Sequence, residues 1–131
     1  GVYEFEFETN NGGGNISMFD LNRPLSVFTN PVFLTGSEDL ASAAAVSLTT
    51  PVTYIATGGS GETATLAAGT DGQVKMFAMT TDGGGDMVIT VTNAAWGGAG
   101  TITFGDVGDG CTLLYTNSKW CCVGNNGCSF A

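Results

Sequence analysis

The sequence predicts an all-β fold, an antiparallel β-sandwich or barrel-like module behind an extended N-terminal arm. Three observations carry this expectation. From Val46 onward, runs of four to eight β-branched, aromatic and aliphatic residues recur, each bounded by Gly, Asp or Asn. Glycine makes up 21 of 131 residues without the three-residue period of a collagen, as tight turns between many short strands require. Hydrophobic residues are 43% of the chain and charged residues only 11%, the opposite of a disordered composition. A chain of this length makes one domain and buries about two-thirds of its unfolded surface.

The opening "VYEFEFET" alternates strictly, with Tyr3, Phe5 and Phe7 on one face and Glu4, Glu6 and Glu8 on the other. Period two with an aromatic and an acidic face predicts a half-buried strand. "NNGGGN", Asn10 to Asn15, then breaks it as a flexible connector. From Ile16 to Thr35 the chain is apolar but irregular, and Pro24 and Pro31 remove ladder donors. Residues 1–36 therefore read as an arm with short edge strands, and residues 37–131 as the β-rich module.

"SEDLASAAAV", Ser37 to Val46, has a Ser cap, acids in the first turn and an alanine run, which predicts a helix of about two turns. "AVSLTTPVTYIAT" leads into the turn Gly58-Gly59-Ser60-Gly61, followed by "ETATL" and the loop "AAGTDG". The strands "QVKMFAMT", "DMVITVTN", "TITF", "CTLLYT" and "KWCCV" follow. Their short links favour antiparallel neighbours, because a parallel pair needs a long crossover. "TTDGGGD" sits between two apolar strands and predicts a hairpin connection, with glycine supplying positive φ and Asp82 and Asp86 flanking it. A calcium loop needs more oxygen ligands at fixed spacing, and a phosphate loop needs a following helix. No metal or cofactor is expected there.

The chemistry-bearing residues exclude more than they suggest. The net charge is −9, with only Arg23, Lys75 and Lys119 positive, so neither nucleic acid nor an anionic membrane surface is an expected partner. No apolar run approaches the ~20 residues of a spanning helix, and no charged-then-apolar leader opens the chain. Without a single histidine, Ser-His and Cys-His nucleophile activation are lost along with the commonest metal ligand. The acids Asp71, Asp82, Asp106 and Asp109 stand beside glycines in predicted turns, with no spacing that signals a glycosidase-like pair. No catalytic residue is nominated.

"CTLLYTNSKWCCVGNNGC" reads as a hairpin around Thr116-Asn117-Ser118-Lys119. Pairing Tyr115 with Trp120 puts Cys111 and Cys122 on one face, diagonal rather than opposite. The four cysteines Cys111, Cys121, Cys122 and Cys128 read first as small apolar residues of a buried hairpin; the second reading is one disulfide, Cys111 or Cys121 with Cys128. C-C-x5-C is not zinc-ribbon spacing. Trp96, in the loop "NAAWGGAG", either packs beneath that loop or stacks on a sugar ring, which keeps a glycan ligand open. "NIS" at Asn15 matches a glycosylation sequon, relevant only to a chain secreted by a eukaryote.

Taken together, "ATLAAGTDGQVKMFAMTTDGGGDMVITVTN", "GTITFGDVGDGCTLLYTNSKW" and "CVGNNGCSFA" resemble a module of virion proteins of tailed bacteriophages, those of marine cyanobacterial and other aquatic bacterial phages above all. The matching pieces are Thr65–Lys75, Met79–Asp86, Thr101–Asp109 and Lys119–Gly127, and the resemblance runs from about Val46 to Ala131. It implies a non-enzymatic structural protein on the virion surface, assembled in the host cytoplasm: a head-decoration, head-fibre or tail-fibre component. Such components are commonly homotrimers, so the implied partners are further copies of the chain and the major capsid protein or another virion protein. The arm, with Tyr3, Phe5 and Phe7, is then an intermolecular anchor that adds a strand to a neighbour's sheet edge. The cysteine-rich end departs from the family pattern. The rival expectation is a secreted or cell-surface β-domain that binds glycan or protein, and a third is a subunit of an extracellular filament.

Overall fold

The computed structural model describes residues 34–40 and 42–131; Tyr3, Phe5, Phe7 and the rest of residues 1–33 lie outside the described residues. The described chain is all-β. Its ten strands are β1 (Ser37–Leu40), β2 (Ala44–Ala45), β3 (Val52–Ala56), β4 (Glu62–Leu66), β5 (Val74–Thr81), β6 (Met87–Val91), β7 (Thr101–Phe104), β8 (Gly110–Thr116), β9 (Lys119–Asn126) and β10 (Ser129–Phe130). They form two five-stranded sheets, here sheet A (β1-β3-β5-β8-β9) and sheet B (β10-β7-β6-β4-β2).

Alternation along each strand decides which side chains meet between the sheets. Thr53 and Ile55 of β3, Lys75, Phe77 and Met79 of β5, and Cys111, Leu113 and Tyr115 of β8 are buried from sheet A. Ala64 and Leu66 of β4, Met87, Ile89 and Val91 of β6, and Ile102 and Phe104 of β7 are buried from sheet B. The Phe77 and Phe104 rings, one from each sheet, lie 5.8 Å apart between centroids.

Three expectations are corrected. The sheets are mixed rather than antiparallel: β1 with β3, β3 with β5, β2 with β4 and β4 with β6 are all parallel pairs. Through the first six strands the chain alternates between sheets, so each of β1 to β4 pairs with the strand two places on. The strand in the opposite sheet is itself the crossover that a parallel pair needs. Only the later strands pair antiparallel: β6 with β7, β5 with β8, β8 with β9, and β10 with β7.

The predicted helix over Ser37 to Val46 is replaced by β1, a turn at Ser42 and Ala43, and β2. A ten-residue helix is marginal on propensity alone, and pairing of Ser37 to Leu40 with Val52 to Ile55 outweighs it.

"TTDGGGD" is a turn but no hairpin, since β5 belongs to sheet A and β6 to sheet B. It is an arch, stacked on the preceding arch Gly58–Gly61. Thr57 N donates to Thr81 O at 3.0 Å, Gly85 N to Gly58 O at 3.0 Å, and Glu62 N to Asp86 O at 2.8 Å. Any Cβ at Gly85 would stand 2.1 Å from Ser60 O, and one at Gly83 would stand 2.6 Å from Thr57 O. These glycines are there because two backbones touch.

The β8–β9 hairpin forms as the sequence predicts. Asn117 (φ 51°) and Ser118 (φ 61°) take the two left-handed positions of a tight turn, and Tyr115 pairs with Trp120. Their rings meet edge to face at 5.1 Å, and the Trp120 indole N–H donates to Ala67 O at 2.9 Å.

Candidate functional site

The most polar point inside the sandwich is Lys75, whose side chain is fully buried. Its Nζ donates to Glu38 Oε1 at 2.9 Å and to Thr50 O at 2.8 Å. Glu38 Oε1 also accepts from Thr53 Oγ1 at 2.6 Å, and both carboxylate oxygens accept from Ser47 N. The pair joins the three parallel strands β1, β3 and β5 on their inner face. Burial alone would raise the Glu38 carboxyl, but the bonds from Thr53, Lys75 and Ser47 N, with the Lys75 charge, outweigh it and hold the carboxyl below its ordinary range. Burial lowers Lys75, and Glu38 recovers part of that shift. Among the described residues every buried side-chain nitrogen and oxygen has a partner, so this network is closed on itself. The sequence held its signal, because Lys75 shares the parity of Phe77 and Met79, but only the fold supplies Glu38 from 37 residues away.

The turn acids serve the backbone. Asp82 Oδ1 accepts from Gly84 N at 2.6 Å, Asp109 Oδ2 from Gly105 N at 2.8 Å and Asp106 N at 3.1 Å, and Asp71 Oδ1 from Asn117 N at 3.1 Å. Among the described residues no group of three His, Cys, Asp or Glu is placed to hold a metal ion. The Trp96 indole N–H donates to Thr101 O at 3.2 Å, and its half-buried ring meets Phe130 edge-on at 4.9 Å, so it packs beneath its loop.

The thiols fall into two groups. Cys121, opposite Leu114, faces outward from sheet A, while Cys122, opposite Leu113, faces the inner side at the exposed edge. Cys111 and Cys128 are both buried in the same core cluster, and the Cys128 thiol donates to Asn126 O at 3.8 Å. A bulge between Thr112 and Leu113 shifts the register, placing Cys111 opposite Asn125.

The two outer faces differ in chemistry. Sheet B presents the cross-strand rows Ala45–Thr65–Thr90–Thr101 and Thr63–Val88–Thr103–Ser129, short and uncharged with mostly hydroxyl-bearing side chains. Sheet A presents Val74–Leu114–Cys121, Ser37–Val52–Met76–Thr112 and Asp39–Tyr54–Ala78–Gly110, apolar at its centre with Ser37 and Asp39 at the β1 edge. Tyr54 is 39% and Val74 44% exposed, large apolar side chains left on an open sheet surface. Where Gly110 and Gly124 carry no side chain, a shallow groove of about 440 Å³ opens against Val52, Met76, Ala78 and Thr112.

No protein-family model matches the chain, and no curated protein matches it at a significant level.

Proposed function

We propose that the chain is a non-enzymatic structural subunit of a tailed-phage virion, a capsid decoration or head-fibre protein, that associates with copies of itself through the outer face of sheet A. The observation that supports this is the contrast between the two outer faces. An isolated sandwich in water is expected to show polar side chains on both outer surfaces, as sheet B does with its threonines. Sheet A instead turns Val52, Tyr54, Val74, Met76, Leu114 and Cys121 outward across its centre, with Ser37 and Asp39 at the β1 edge, which suits a surface whose middle is covered by a partner. The closed polar network and the acids engaged with backbone N–H groups fit a scaffold.

The size of the face matters. Five strands about 4.8 Å apart, overlapping over roughly five residues, offer on the order of 400 Å². A stable interface needs about 800 Å² from each partner. The face therefore needs a second contribution, and the arm, with Tyr3, Phe5 and Phe7, supplies one in this reading by adding a strand to a neighbouring copy or to the capsid protein.

Light scattering on the full chain tests the proposal. A trimer is expected at micromolar concentration, Leu114→Glu and Tyr54→Glu should dissociate it, and Thr65→Glu on the opposite face should leave it intact. A wild-type monomer under these conditions overturns the self-association.

A further inference from the structure

Cys111 in β8 and Cys128 in the link between β9 and β10 are seventeen positions apart, and both side chains are buried, at 5% and 6% exposure. Asn125, the cross-strand partner of Cys111, holds Cys128 in place from both sides. Its Oδ1 accepts from Cys128 N at 3.1 Å and its Nδ2 donates to Cys128 O at 2.9 Å. Gly127, directly before Cys128, takes a positive φ of 80°. Asn125 sits against both cysteines, opposite Cys111 across the strand pair and bonded to the Cys128 backbone, and the two buried side chains belong to one core cluster. Cys121 faces the other side of the strand, and Cys122 stands opposite Leu113 at the rim. Burial sets Cys111 and Cys128 apart from the half-buried Cys121 and the exposed Cys122.

We propose that Cys111 and Cys128 form a redox-switchable disulfide that clips the C-terminal strand β10 to sheet A. With a small-molecule disulfide as oxidant, the Cys128 thiolate attacks one sulfur and releases one small thiol. Cys111 then gives up its proton and attacks the Cys128 sulfur of the mixed disulfide, releasing the second. One disulfide and two thiols thus become one protein disulfide and two small thiols. Cys128 is the attacking sulfur because it sits in the short link between β9 and β10 rather than inside a strand, and the influence of the two thiols on each other raises Cys111 and lowers Cys128.

The consequence is mechanical. β10 is two residues long and pairs with β7 of sheet B, whereas Cys111 lies in β8 of sheet A. The bond would therefore tie the last strand of one sheet to the middle of the other. A chain made in a reducing compartment would carry free thiols and acquire the clip on reaching an oxidising one. The inference does not depend on the virion assignment.

The test uses the full chain, incubated with glutathione disulfide or with dithiothreitol, in each case at a low urea concentration that permits local opening. Oxidation should remove two of the four titratable thiols, and peptide mapping without reduction should recover a fragment linking Cys111 to Cys128. The melting temperature should rise by roughly 10 °C or more over the reduced form. Cys128→Ala and Cys111→Ala should each abolish that difference, and Cys121→Ala should keep it. Because each variant is compared with its own reduced form, any loss of stability from the substitution cancels. Four free thiols after oxidation, or a link that maps to Cys121 or Cys122, would overturn the proposal.

Discussion

Lys75 shows how much one buried charge depends on its partner. Replacing it with Met removes the cation from a fully buried position and leaves Glu38 with only Thr53 and Ser47 N. Breaking a buried pair costs about 3–5 kcal/mol. Glu38 keeps 19% exposure, so a discounted loss of about 2–3 kcal/mol is expected for Lys75→Met, read from chemical denaturation. Removing both charges with Glu38→Gln and Lys75→Met should recover part of that loss. The pH dependence has a definite sign. Glu38 binds its proton less tightly in the folded chain, so its contribution is fully present above the ordinary value of 4.5 and fades as pH falls through the lower folded value. Melting temperature should fall more steeply below pH 4.5 in the wild type than in Glu38→Gln, and parallel curves would refute the assignment.

At the scale of elements, the stacked arches are the most constrained part of the sequence. Gly85→Ala places a methyl group 2.1 Å from a backbone oxygen, where no side chain can rotate away. Gly84→Ala meets nothing within 4 Å and suffers only from its φ of 100°. Gly85→Ala should therefore cost more than about 2 kcal/mol and Gly84→Ala closer to 1, measured by thermal melts. The reverse order would mean the arches do not stack as described. The same arch is expected to work without an ion. Asp82 is already engaged with Gly84 N, so adding EDTA should move the melting temperature by no more than a degree or two.

For the whole molecule, the expectation concerns the arm. Deleting residues 1–14 should leave a domain that unfolds cooperatively but no longer attaches to its partner or particle. The six-residue connector Asn10 to Asn15 spans about 20 Å when extended, enough to reach an adjacent subunit. The alternating Glu4, Glu6 and Glu8 of the arm discourage identical arms from pairing, since like charges directly opposite are unfavourable. Folding and attachment must be measured separately, by denaturation and by co-sedimentation with particles. A truncated chain that cannot fold would place the strand in the core and end the anchor reading.

The all-β class was legible in the sequence, as were most strands from Val52 onward and the β8–β9 hairpin with its Tyr115–Trp120 pair. Those features are local: alternation is a property of neighbouring residues, and Asn117 is of the type that most readily accepts the positive φ of a tight turn. The parallel pairing was not legible. Whether a short glycine link closes a hairpin or arches to the opposite sheet depends on what its flanking strands bury against, and both solutions share the same apolar alternation. β1 was hidden for a related reason, because Ser37 to Leu40 becomes a strand only once β3 offers it an edge. The Glu38–Lys75 pair likewise joins residues 37 positions apart that only the parallel pairing of β1, β3 and β5 brings together. The sequence by itself determined the period of each strand and the absence of histidine. The tertiary structure decided which strands are neighbours, because pairing is a contest among distant partners that no local pattern resolves.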